Sequence, residues 1–170
     1  MVKINVIGFK QLQNTINKMP ARLQKEVGAE IQFGAEDFRD RAINDAPADV
    51  GFLISQITKN ELTPLSAEVV SGSKYSAPME FGTKSKFQPI PGIDASEFKG
   101  KPTGGTWLEF ISNIKNWTKR KGIPTSASYV IARSILKHGV NPHPFFFKQI
   151  PIVRRDLFRN IRNVLKSIME

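Results

Sequence analysis

Few side chains in this sequence are of the kinds that do chemistry. There are two histidines, His138 and His143, and no cysteine. The histidines are five positions apart, not the four that put two imidazoles on one helix face, and His143 stands between two prolines. They read as a cation at a helix C-terminus and a loop side chain. Without cysteine there are no disulfides, no cysteine-ligated zinc or iron–sulfur cluster, and no thiol nucleophile. The acidic residues Glu36, Asp37 and Asp40 lie beside Arg39 and Arg41 on a segment with helical periodicity, which predicts a salt-bridged solvent face.

Asp94, Glu97 and Lys99 only loosely resemble the acid–Glu-x-Lys arrangement of metal-dependent nucleases, and the match is poor. Those enzymes bring their acids together on adjacent strands, whereas here all three lie within six residues of a Pro/Gly-rich loop. No GxxxxGK[ST], GxGxxG, GxSxG or HExxH pattern occurs. The expectation is a chain with no catalytic residue, no cofactor and no metal site.

Positive charge is the remaining constellation. The 170 residues hold 25 Lys+Arg and 15 Asp+Glu, a net charge of +10. Residues 1–70 carry eight basic and nine acidic side chains, so the excess lies wholly after position 70. Arg154, Arg155, Arg159, Arg162 and Lys166 form a row that could face phosphates or an acidic protein. Aromatic residues are expected on apolar stripes, not interleaved with these charges. No apolar run approaches the roughly 18 residues needed to span a bilayer, and MVKINVIGFK lacks the apolar stretch of a signal peptide, so no membrane partner is expected.

These residues need elements to hold them. Alternation predicts a strand over Val2–Ile7. Phe9, Leu12, Ile16 and Met19 predict a short helix that Pro20 ends. Leu23, Val27, Ile31, Ala35 (with Gly34), Phe38 and Ala42 predict a long amphipathic helix from about Ala21 to Asn44, stopped by Ala46-Pro47. Phe52–Leu62 and Ser66–Ser71 read as two strands joined at Thr63-Pro64. Residues 74–80 are ambiguous, and 82–105, rich in Gly and Pro, is a long loop suited to docking. Thr106 and Glu109 predict a capping box opening a helix that buries Trp107, Phe110, Ile111, Ile114 and Trp117 and stops at Gly122. Thr125 or Ser126 should cap a second helix running through Tyr129, Val130, Ala132, Ile135 and Leu136 and ending at Lys137-His138-Gly139. A last helix from about Gln149 should bury Ile150, Val153, Leu157, Phe158, Ile161, Val164, Leu165 and Ile168. The expected fold class is α+β: a long N-terminal helix packed on a small antiparallel sheet, a two-helix insertion, and a closing C-terminal helix. One domain over 1–170 is expected, with a loop-plus-two-helix insertion at about 84–140.

Several stretches occur in the order of one known family. Arg41-Ala-Ile-Asn-Asp-Ala-Pro47 followed by Asp49-Val-Gly51-Phe-Leu53 is similar to that family's helix end and its A-P-x-D-T-G-x-L turn, with Val50 in place of the usual Thr. Tyr75-Ser-Ala-Pro-Met-Glu80-Phe81-Gly82-Thr83 resembles its Y-A-x-x-x-E-F/Y-G-T. Pro144-Phe145-Phe146 with Ile150 resembles its P-F-L/F before the closing helix. Trp117–Ile123 and Ile131–Ile135, ending in Gly139, resemble an insert carried by many relatives. Over about residues 10–168 the chain looks like the neck, or tail-completion, proteins of long-tailed bacteriophages.

That resemblance implies a structural virion protein. Copies would form a ring between head-completion or connector proteins and the tail terminator or tail tube, around the DNA channel, after assembly in the host cytoplasm. It implies no catalysis. Pro47, Asp49, Gly51, Tyr75, Glu80, Phe81, Gly82, Thr83, Pro144 and Phe145 become expected assembly-interface or turn positions. Arg154, Arg155, Arg159, Arg162 and Lys166 become the face toward DNA or an acidic neighbour. The alternative, carried by charge alone, is a basic DNA-binding accessory protein.

Overall fold

The computed structural model describes residues 20–47, 49, 51–96 and 105–169. The expected strand at 2–7 and helix at 9–19, with Val50, Glu97 and Lys99, lie outside these residues. The chain divides into two compact units. One holds residues to Ser73 together with those from Phe145 onward, and the other is Lys74–Pro144.

In the first unit, helix α1 spans Ala21–Asp45. It ends where Ala46, placed before Pro47, takes an extended ψ of 138°. Phe52–Leu62 differs from the expected single strand. Gly51 has φ +74°, and Phe52–Ser55 then makes one helical turn, α2. The turn is closed by Ser55 N–H donating to the Gly51 carbonyl at 2.8 Å and Ser55 Oγ to the Phe52 carbonyl at 3.0 Å. A left-handed glycine lets the chain coil immediately, so alternation begins only at Ile57. Strand β1, Ile57–Thr63, pairs antiparallel with β2, Ser66–Ser71, from Ile57↔Ser71 to Thr63↔Ser66. The register slips between Glu61 and Thr63, a bulge that leaves Leu62 exposed.

A two-stranded ribbon is marginal alone, so it lies on α1. The core joins Leu23, Val27 and Ile31 of α1, Leu65 of the hairpin turn and Ile161 of the last helix, with Leu157, Val164 and Leu165 against them. Each such side chain contributes about 1.5–3 kcal/mol on burial. Small residues set the closest approaches. A Cβ on Gly28 would lie 2.7 Å from the Pro64 carbonyl oxygen, and one on Gly34 would lie 3.2 Å from Leu157 Cδ1. Phe38 meets Phe146 edge to face at 5.0 Å. A 3₁₀ turn, Phe147–Gln149, leads into the closing helix, Ile150–Met169, whose first turn takes Pro151.

In the second unit, the ambiguous segment folds as helix α3, Ser76–Phe81. A 3₁₀ turn at Lys84–Lys86 follows. Helices α4, Trp107–Arg120, and α5, Ser128–His138, form a hairpin, and the closing helix Ile150–Met169 of the first unit is α6. The capping box is present: Glu109 N–H donates to Thr106 Oγ1 at 3.2 Å, and Thr106 N–H donates to Glu109 Oε2 at 2.8 Å. Helix α4 ends as a Schellman motif, with Gly122 N–H on the Lys119 carbonyl and Ile123 N–H on that of Thr118.

Two expectations fail in this hairpin. Neither Thr125 nor Ser126 caps α5: Thr125–Ala127 is a 3₁₀ turn, and Ser128 Oγ donates to the Thr125 carbonyl instead. Nor does the aromatic stripe fill the hairpin seam. Thr118, Ser128 and Ala132 are each fully buried, and the Thr118 and Ser128 hydroxyls are 3.5 Å apart. Small side chains let the helices approach closely and push the large ones outward. Trp107 is therefore exposed, and Phe110, Ile111, Ile114 and Trp117 are only half-buried. In α6, Phe158 likewise lies outside the core stripe and is 50% exposed.

Candidate assembly surfaces

The turn after α1 comes from backbone rules. Ala46 is buried, Pro47 is half-buried, and Asp49 and Gly51 are exposed. Leu53 of α2 anchors the turn from inside while Phe52 points outward. At the base of α6, Phe145 and Phe146 are buried, and Gln149 Nε2 donates to the Phe145 carbonyl at 3.2 Å and to Asp45. Lys148 reaches the same Asp45 carboxylate at 3.2 Å. The end of α1 is thus tied to the start of α6 by one acid.

In the second unit, the Tyr75–Thr83 stretch is built as a clasp. Tyr75 is exposed at its start, and Met79 N–H donates to the Tyr75 carbonyl at 3.0 Å. Glu80 and Phe81 are buried, and the Phe81 ring lies 6.0 Å from that of Phe87. Gly82 has φ +72°, and a Cβ there would fall 2.6 Å from the Lys86 carbonyl oxygen and 2.9 Å from that of Val140. Gly139 has φ +86°, and a Cβ there would fall 2.0 Å from the Thr83 carbonyl oxygen.

Five hydrogen bonds close this crossing. Thr83 N–H donates to the Val140 carbonyl at 3.1 Å, and Val140 N–H to Thr83 Oγ1 at 2.8 Å. Ser85 Oγ donates to the His138 carbonyl at 2.9 Å, and His143 N–H to the Met79 carbonyl at 2.6 Å. Lys84 Nζ donates to the Leu136 carbonyl, where α5 leaves acceptors unpaired. Pro144 is half-buried beyond it. The sequence marks Gly82 and Thr83 by pattern, but it carries no sign that their partners are Gly139 and Val140.

Arg154, Arg155, Arg159, Arg162 and Lys166 of α6 are all exposed. Asp156 pairs with Arg155 at 3.3 Å and Arg159 at 3.0 Å. The Arg154 guanidinium lies 5.5 Å from the centre of the exposed Phe158 ring. Aromatic and cationic groups therefore do interleave here. The sequence reading missed this because it placed Phe158 in the core stripe.

The acidic cluster on α1 is salt-bridged. Arg39 pairs with Glu36 and, at 3.8 Å, with Asp40; Arg41 pairs with Asp37 at 2.8 Å, and Lys59 with Glu36 at 3.3 Å. The pair with Asp37 raises the Arg41 pKa. The Ser96 hydroxyl, and then Ser96 N–H donating at 3.0 Å, hold the Asp94 carboxyl below the usual aspartate range in an ordinary Asx turn. Among the described residues no three His, Cys, Asp or Glu side chains converge as metal ligands, and no helix is long and apolar enough to cross a membrane.

Residues 10–82 match the family model described as "Bacteriophage HK97-gp10, putative tail-component". The matched stretch takes in α1, the A-P-x-D-x-G-x-L turn, the β-hairpin and the clasp as far as Gly82. It is consistent with the phage neck and tail-completion resemblance and supports a structural role in a tailed phage. No curated protein and no solved structure matches the chain.

Proposed function

We propose that the chain is a structural protein of the phage virion neck, joining head-completion proteins to the tail as a ring around the DNA channel. The observation that carries this reading is the match over residues 10–82 to a phage tail component. The chemistry suits the role. The described surface is made of turns, clasped loops and charged helix faces, and its exposed groups suit contacts with other macromolecular surfaces. The two-helix segment at about 84–140 is read as an insertion on the matched fold, and the basic face of α6 as a neighbour-facing or DNA-facing surface. The partners are further copies of the chain, head-completion or connector proteins, and tail terminator or tail tube proteins.

The test is genetic and compositional. Virions made by the phage or prophage that carries this gene should contain the chain in a fixed, small, ring-like copy number. A nonsense mutation should yield filled heads and complete tails that fail to join. Joined, infectious particles lacking the chain would refute the neck reading. Tight, sequence-preferring DNA binding at physiological salt by a chain absent from virions would favour the DNA-binding accessory protein instead.

A further inference from the structure

The exposed side of α6 carries five cations and no acid. Arg154, Arg155, Arg159, Arg162 and Lys166 are all exposed, and Asp156, the one acid of Ile150–Met169, is half-buried. The Asp156 carboxylate already takes Arg155 and Arg159, and its side chain is only 23% exposed. Among the described residues, Arg162 and Lys166 pair with no carboxylate. Acids that α1 turns toward this helix are bonded elsewhere. Glu30 accepts from Asn160 at 3.1 Å, and Asp45 accepts from Gln149 and Lys148. The face is therefore left with an excess of four positive charges.

Four of these cations form a line. Arg155, Arg159, Arg162 and Lys166 stand at i, i+4, i+7 and i+11. At about 100° per residue they fall within roughly 60° of one another, along the helix axis. At roughly 1.5 Å of rise per residue the line is about 17 Å long, enough to span about five phosphates of one DNA strand. Arg154 flanks it, with its guanidinium 5.5 Å from the centre of the Phe158 ring. The helix itself does not call for these charges. Only Lys166 lies in the last turn, where carbonyl ends favour a cation, and Arg154 and Arg155 lie toward the opposite end.

We infer that this line is the surface along which the phosphate backbone of duplex DNA passes the subunit. The inference rests on the neck reading and adds to it the face that meets DNA. An acidic protein is the poorer occupant. A protein interface needs a desolvated apolar centre. The only exposed apolar side chains on the described part of α6 are Pro151 and Phe158, and Arg154 stands over the second. A phosphate backbone needs no apolar area, because each cation that meets a phosphate releases a counterion. Four of the five cations are arginine, whose forked donors bond two phosphate oxygens at once. Such contacts carry no sequence information and give a Kd on the order of 10⁻⁴–10⁻⁶ M, weak enough for DNA that has to move.

The test is the salt dependence of duplex binding by the full chain, read as fluorescence anisotropy of a short labelled duplex of mixed sequence. With all five cations on phosphates, log K against log salt should have a slope of about −4.5. Arg162→Gln should make the slope shallower by about 0.9, and Arg162→Lys should keep it, because charge and not shape sets the slope. Lys115→Gln removes the same charge from an exposed position on α4 and should leave the slope unchanged. Both positions are exposed, so each variant should keep the wild-type circular dichroism. Equal slopes for Arg162→Gln and the wild type, or binding that ignores salt, would overturn the inference. So would polyglutamate bound more tightly than the duplex, which would assign the face to an acidic protein. A chain present in virions whose duplex binding ignores α6 sinks this inference and leaves the neck reading standing. A chain absent from virions sinks the neck reading, whatever the slope.

Discussion

At the scale of single residues, Gly82 and Gly139 are positions where the fold depends on having no side chain. Each combines positive φ with backbone oxygens closer than 3.0 Å to where a Cβ would sit. An alanine must therefore adopt an unfavourable conformation and also move the Thr83–Val140 crossing. Gly139→Ala should cost about 2–4 kcal/mol, read as a drop in urea midpoint. Thr106→Ala tests a smaller device and should cost about 1 kcal/mol by removing the cap on α4. Its partner Glu109 is held below the ordinary glutamate value of 4.5 by the Thr106 backbone N–H, then by its hydroxyl. A carboxyl depressed in the folded state adds stability above its unfolded value and loses that contribution as pH falls through its folded value. The wild-type advantage over Glu109→Ala should therefore be full above about pH 4.5 and shrink below it, in thermal melts across that range. The capping box was readable from four consecutive letters. The crossing was not, because Gly82 and Gly139 lie far apart in sequence and only the folded chain brings them together.

Among elements, the informative comparison is between two glycines of α1. Alanine in a helix interior gains about 1 kcal/mol over glycine. At Gly34 the neighbour is the end of the flexible Leu157 side chain at 3.2 Å, which can yield, so Gly34→Ala should be neutral to stabilising. At Gly28 it is the Pro64 carbonyl at 2.7 Å, which cannot yield unless the hairpin lifts off the helix, so Gly28→Ala should cost about 2 kcal/mol. Thermal unfolding of both variants checks the sign of each. Helix α1 was legible in full from its stripe, as were β2 and the start of α6. The α4–α5 seam was misread because periodicity identifies an apolar stripe without saying which stripe is buried. Thr118, Ser128 and Ala132 win the seam by size, and Trp107 and Tyr129 are left outside. Phe52–Ser55 was misread because four residues are too few for periodicity to separate a helical turn from a strand.

For the whole molecule, the net charge of +10 no longer points to one use. Part of it sits at helix C-termini, as with Lys119, Arg120 and Lys137, where carbonyl ends favour cations. Part is matched by Asp156. The rest is a set of exposed faces suited to acidic neighbours or to DNA in transit. If all five basic residues of α6 met phosphates, retention on duplex DNA should fall roughly 500-fold between ~50 and ~200 mM salt, with no sequence preference. Arg159→Glu should weaken it further; filter retention against salt measures both. The fold class was legible because segregated helices and strands leave distinct periods. The surface chemistry was less so, since exposure of Phe33, Phe158 and Tyr129 depends on what the rest of the chain leaves uncovered.

The central claim, a subunit that joins head to tail, is tested most directly by quantifying this chain in purified virions alongside the particles made when its gene is interrupted. The account predicts a fixed small copy number per virion, and separate filled heads and finished tails in its absence. Infectious, joined particles without the chain would contradict it.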